Sequence, residues 1–146
     1  MNVSVEVLTL RADLDGRWSY RRATAVPSHG ESPDDAARRT AGAVPGVLHS
    51  TSWRYRPEGQ VVLTYAVCPD PEPGLPATPL STLEIARGPA PDAPAPERIE
   101  VDHVVAHAVQ HLAFLMSTDP VVREALMEWP EIAMALDTGE FDFMST

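Results

Sequence analysis

The chain has no lysine. All 11 of its basic side chains are arginine, set against 21 acids, for a formal charge of −10 over 146 residues. No basic run is longer than Arg21-Arg22 or Arg38-Arg39. These shortages argue against nucleic acid as a partner, because phosphate backbones are held by clustered Lys and Arg. Cysteine is scarce as well. Cys68 stands alone, which excludes an internal disulfide and a cysteine-based zinc centre. Its expected place is as a small buried side chain near a strand end. No apolar run approaches the roughly 20 residues of a membrane helix, so no membrane span is expected. The N-terminus lacks the basic-then-apolar pattern of a signal peptide, and a cytoplasmic location is expected from that. The missing Lys, with abundant Ala, Pro and Val, reflects GC-rich coding and carries no functional argument.

What is present suits a globular chain. The hydrophobic fraction is 44%, and the length allows one core, so residues 1–146 read as one domain. The chain is organised around Gly30 to Val47, GESPDDAARRTAGAVPGV. Ser32 is a good N-cap, and Pro33 falls at the first helical position, where its missing N–H costs nothing. Asp34 and Asp35 sit at the positive end of the helix dipole, with Asp35 placed for a capping-box contact. Ala36, Ala37, Arg38 and Arg39 favour helix. Pro45 disfavours helix at Val44, and Gly46 can close it in the left-handed conformation. A helix of about three turns, Pro33 to Val44, is expected.

That stretch resembles the Nudix box over Ala25 to Val47. The family pattern is Gly, five residues, Glu, seven residues, then Arg-Glu-apolar-x-Glu-Glu-x-Gly-apolar. With Gly46 on its last Gly, Glu31 falls on the first Glu, Arg39 on the Arg and Val47 on the final apolar position. Ala25 replaces the opening Gly. Thr40, Ala43 and Val44 replace the three glutamates that hold the divalent metal in the family. The resemblance implies a Nudix-like α/β/α sandwich with a mixed sheet, here with extra C-terminal helices. The departures argue against the family reaction, because Mg²⁺ and Mn²⁺ want charged oxygen ligands and a diphosphate needs its charge offset.

The rest of the chain supplies strands, loops and helices. Val3 to Leu10 alternates as a strand, with Leu8 and Leu10 shifting the phase. Asp15-Gly16 is a hairpin signal, and Trp18 to Ala25 is a second strand with a break expected near Arg21-Arg22. Leu48 to Arg56 and Gln60 to Cys68 form a hairpin across Pro57-Glu58-Gly59. In it, Trp53, Arg54 and Arg56 are the ligand-binding candidates, since an aromatic with Arg commonly holds a nucleotide. The plainer alternative is that alternate residues face core and solvent. Residues 69–79 and 88–96 are proline-rich loops, with a strand expected between them at Leu80 to Arg87.

Residues 97–136 form a helical section. Val101, Val104, Val105, Ala108, Leu112, Leu115 and Met116 share one face, so Asp102 to Met116 is expected to pack on the sheet. Asp119-Pro120 caps a helix through Glu128, Trp129-Pro130 breaks it, and Glu131 to Leu136 ends the section. Residues 137–146 read as a loose tail. Leu126, Met127, Trp129, Ile132, Met134 and Leu136 either finish the core or make a homodimer face.

His103, His107 and His111 are the metal-ligand candidates. Neighbours four apart lie about 6 Å apart along a helix, the reach of two ligands on one zinc ion, whereas the outer two are roughly 12 Å apart. By rotation His103 lies nearly opposite the apolar face and His111 at its edge, so a polar helix face with packing at one end is the reading these positions favour.

The function expected is a Nudix-like protein without the metal-binding glutamates: a non-catalytic ligand-binding or protein-interaction module. The alternative is a divergent hydrolase of a nucleoside-diphosphate-linked substrate. It would use Mg²⁺ or Mn²⁺ on Glu31, Asp34, Asp35 and a carboxylate from elsewhere, such as Glu84 or Glu97.

Overall fold

The computed structural model describes the backbone of residues 2–80 and 96–144 and the side chains of 2–80 and 101–137. Strand β1 (Asn2–Ala12) lies at the centre of a five-stranded sheet with β2 (Trp18–Ala25), β3 (Val47–Arg56), β4 (Gln60–Cys68) and the two-residue β5 (Thr78–Pro79). The order is β3-β4-β1-β2-β5. β1 and β4 run parallel and the other pairs antiparallel, so the sheet is mixed.

The phase shift at Leu8 and Leu10 has a direct cause. β1 is covered on both faces, and every residue from Ser4 to Leu10 is buried. A doubly covered strand has no solvent side to keep polar, so its alternation fades. Val5 and Val7 pack with Ala36 and Ala37 of helix α1 (Pro33–Ala41), alongside Tyr65 and Val67. Leu8 and Leu10 point the other way, into a larger core with helices α2 (Pro96–Thr118), α3 (Pro120–Leu126) and α4 (Pro130–Met144). Each sheet face therefore has its own helical cover and its own core.

Several boundaries differ from the sequence reading. Helix α1 stops at Ala41 instead of Val44. Gly42, at φ 75°, closes it, its N–H donating to the Arg38 carbonyl. Strand β2 is unbroken at Arg21-Arg22, because each guanidinium finds a carboxylate on its own side of the sheet. The end of the 69–79 loop forms β5 against Ser19 and Tyr20; an edge position tolerates Pro79. Helix α2 begins at Pro96, ahead of the expected Asp102, with proline at a helix start. Helix α4 continues to Met144, through most of the stretch read as a loose tail. The expected strand at Leu80 to Arg87 falls outside the described residues except for Leu80, which packs on the α2 side of the sheet. The loop at 88–96 lies outside them up to Pro96.

The turn and caps follow their residues. Asp13 Oδ1 accepts from the N–H groups of Asp15 and Arg17, and Gly16 takes φ 82°. Asp119 caps α3 by accepting from Val121 and Val122. In the C-terminal section the apolar residues divide. Leu126, Ile132 and Leu136 are buried, while Met127 and Met134 face outward. Among the described residues no helix is long and apolar enough to cross a membrane.

Candidate functional site

Loop and helix meet at Gly30 to Val47, and their joint is ionic. Ser32 Oγ accepts from Asp35 N–H at 3.1 Å, which starts α1. Glu31, just before that cap, grips both sides of it. Its Oε1 accepts from Ser28 N–H at 2.9 Å and from Arg39 Nη2 at 2.9 Å. Its Oε2 accepts from Arg39 Nε at 3.0 Å. The guanidinium thus meets the carboxylate with two parallel donors, the geometry that most favours this pair. The Arg39 hydrogen bonds and the Ser28 N–H hold the Glu31 carboxyl down at about 2. The two residues sit eight apart on loop and helix, and they brace one against the other.

The other box positions contribute no charge. The Thr40 hydroxyl donates back to the Ala36 carbonyl at 2.8 Å. Val44 packs on the α1-side core. Gly46 does not take the left-handed conformation expected of it. Its role is close approach: a β-carbon there would meet the Cys68 carbonyl and lie 2.7 Å from Pro69 Cδ. The nearby acids are also engaged. Asp34 accepts from the Tyr65 hydroxyl, and burial together with that bond pushes the phenol pKa up. Asp35 pairs with Arg38 at 3.4 Å. Magnesium or manganese needs several charged oxygens converging on one point, and these residues do not fit that requirement. Glu84 lies outside the described residues, as does the Glu97 side chain. Among the described residues, no group of three His, Cys, Asp or Glu is placed to hold a metal ion.

The ligand-binding candidates on β3 do not converge. Trp53 and Tyr55 lie opposite Leu63 and Val61, on the α1 side, whereas Arg54 and Arg56 lie opposite Val62 and Gln60, on the other. Trp53 and Tyr55 are 60% and 66% exposed and stand edge to face with centroids 5.2 Å apart. Arg54 turns inward instead, its Nη1 donating to Glu6 Oε1 at 2.9 Å. Arg22 Nε donates to the same carboxylate, as does the Thr64 hydroxyl. Burial alone would raise the Glu6 carboxyl; Arg54, Arg22 and Thr64 outweigh it and hold it low. Glu6 reads in the sequence as an ordinary outward residue of an alternating strand. Only its central position, fully buried, makes it an anchor for two arginines.

A second buried carboxylate sits on the α1 side. Asp70 accepts from Arg11 and, through both oxygens, from Arg21. Burial raises its carboxyl, but Arg21, the Glu72 N–H and Arg11 bring it to about 2. Cys68 is buried in the α2-side core, and burial together with Glu131 pushes its thiol up.

Of the candidate metal ligands, His107 and His111 stack with centroids 6.2 Å apart. The next ring along is His49 of β3, 5.7 Å from His111, and Phe114 follows at 6.5 Å. His103 is one turn back along α2. Burial, then His49 and His107, lower the pKa of His111. The His49 ring Nδ1 lies 2.9 Å from the Ser50 carbonyl. His49 had no sequence signal, because the spacing rule that groups histidines works only within one helix. Comparison with protein-family models, with curated proteins and with solved structures finds no match for this chain.

Proposed function

We propose that this chain is a Nudix-like protein that has given up metal-dependent hydrolysis and serves as a non-catalytic ligand-binding or protein-interaction module. One observation carries the reading. Glu31 and Arg39, the charged box residues that remain, are spent on each other across the loop–helix joint. At the positions of the family's three glutamates stand a hydroxyl bonded to its own helix and two hydrocarbons, Thr40, Ala43 and Val44. The box then acts as scaffold. The exposed Trp53–Tyr55 pair on outer strand β3 is the contact surface this reading favours, since aromatics with open faces are common interface anchors. A second copy docking through the outward Met127 and Met134 of the C-terminal helices is a further partner on the same reading.

The test combines turnover with thermal shift. The protein is incubated with ADP-ribose and a panel of nucleoside triphosphates, with Mg²⁺ or Mn²⁺, and both product release and melting temperature are followed. A ligand that binds only the folded state must raise that temperature. We expect no turnover and no metal-dependent shift, and a lowered melting temperature for Arg39→Ala. Mn²⁺- or Mg²⁺-dependent turnover that Asp34→Asn abolishes would establish the divergent hydrolase instead.

A further inference from the structure

On the face of the sheet away from α1, helices α2, α3 and α4 enclose a cavity of about 230 Å³. Its floor is apolar, built from Ala113, Met116 and Leu136, all buried. Its mouth carries Met127 and two opposite charges, Arg123 and Asp137, all exposed. Among the described residues neither charged side chain has a hydrogen-bond or ion-pair partner, and the two do not pair with each other. Arginines 11, 21, 22, 38, 39 and 54 are each bonded to a carboxylate.

The surroundings narrow the ligand. Residues 99–146 hold nine Asp and Glu and a single basic Arg, which is Arg123. A simple anion would meet Arg123 but enter a negative field that includes Asp137. A simple cation would meet Asp137 with Arg123 beside it. A molecule carrying both charges satisfies both residues at once. We propose that this cavity binds a small zwitterion with a hydrocarbon tail, of the class of the apolar α-amino acids. The carboxylate lies on the Arg123 guanidinium, whose fork matches it. The ammonium lies towards Asp137, and the tail lies on Met116, Met127 and Leu136, where methionine adapts to varied shapes. Both charges sit at a solvent-exposed mouth, so each ion pair adds little and the affinity expected is on the order of millimolar. This inference does not depend on the box.

The experiment is a titration with L-leucine and L-methionine, read by melting temperature and by chemical-shift changes in NMR spectra. Isocaproate and isoamylamine supply the same tail with one charge each. A saturable response to the amino acids is expected, with the single-charge probes about threefold weaker. Arg123→Gln should weaken L-leucine to the level of isoamylamine, and Asp137→Asn to that of isocaproate. Both positions are exposed, so the unliganded melting temperature should hold. Absence of a saturable response overturns the proposal. So does a single-charge probe that binds as well as L-leucine, or a response that survives both substitutions.

Discussion

At Gly46 a β-carbon would press on the Cys68 carbonyl and stand 2.7 Å from Pro69 Cδ. Those are backbone and ring atoms, which cannot rotate aside as a flexible side chain would. Gly46→Ala should therefore cost about 3 kcal/mol, the upper range for forced overpacking, and a urea melt would measure it. A loss below about 0.5 kcal/mol, the ordinary surface range, would show that the β3 entry can shift to make room. Glycine at this position was readable from the sequence, but the reason for it was not. A helix stop and a close packing contact leave the same letter.

At the level of elements, the seam between β3 and α2 is lined by imidazoles. His49 comes from the strand, and His107 and His111 from the helix. Burial and its two neighbours make the charged form of His111 costly in the fold, while the unfolded chain pays no such cost. Above the ordinary histidine range, near 6.5, both states are neutral there and the group has no effect. As pH falls through that range the unfolded chain takes up the proton first, so stability drops. Urea midpoints should fall between pH 7 and pH 5, and His111→Gln should flatten that fall. An unchanged slope in the variant would place the pH dependence elsewhere. The stripe of three histidines on α2 was legible by spacing. Its true neighbour on β3 was not, because 62 residues separate His49 from His111 and no local rule joins them.

Over the whole molecule, stability rests on the two cores that flank the sheet. The C-terminal section shows the division within one helix. Ile132 is 1% exposed and Met134 is 59% exposed, two residues apart on α4. Ile132→Ala should cost about 3 kcal/mol through lost burial and the cavity it leaves. Met134→Ala should stay within about 0.5 kcal/mol. Equal losses in denaturant unfolding would mean that Met134 faces a packed surface in solution. The sequence showed a dense run of apolar residues here and two uses for it, and the helix's place against the sheet divided the run between them.

The sequence alone determined the local features: the Ser32 and Asp119 caps, the β3–β4 hairpin, the Asp15-Gly16 turn and the apolar face of α2. Each depends on residues within a few positions of one another, so propensity and spacing suffice. Tertiary structure decided which side chains meet. One extra residue in β3, at the register shift between Ser50 and Ser52, sets the outcome for its second half. Side chains alternate along a strand, so one inserted residue exchanges the two faces beyond it. That exchange sends Trp53 and Tyr55 outward and brings Arg54 onto Glu6. A bulge is a property of two paired strands, and nothing in the single run Val47 to Arg56 specifies it.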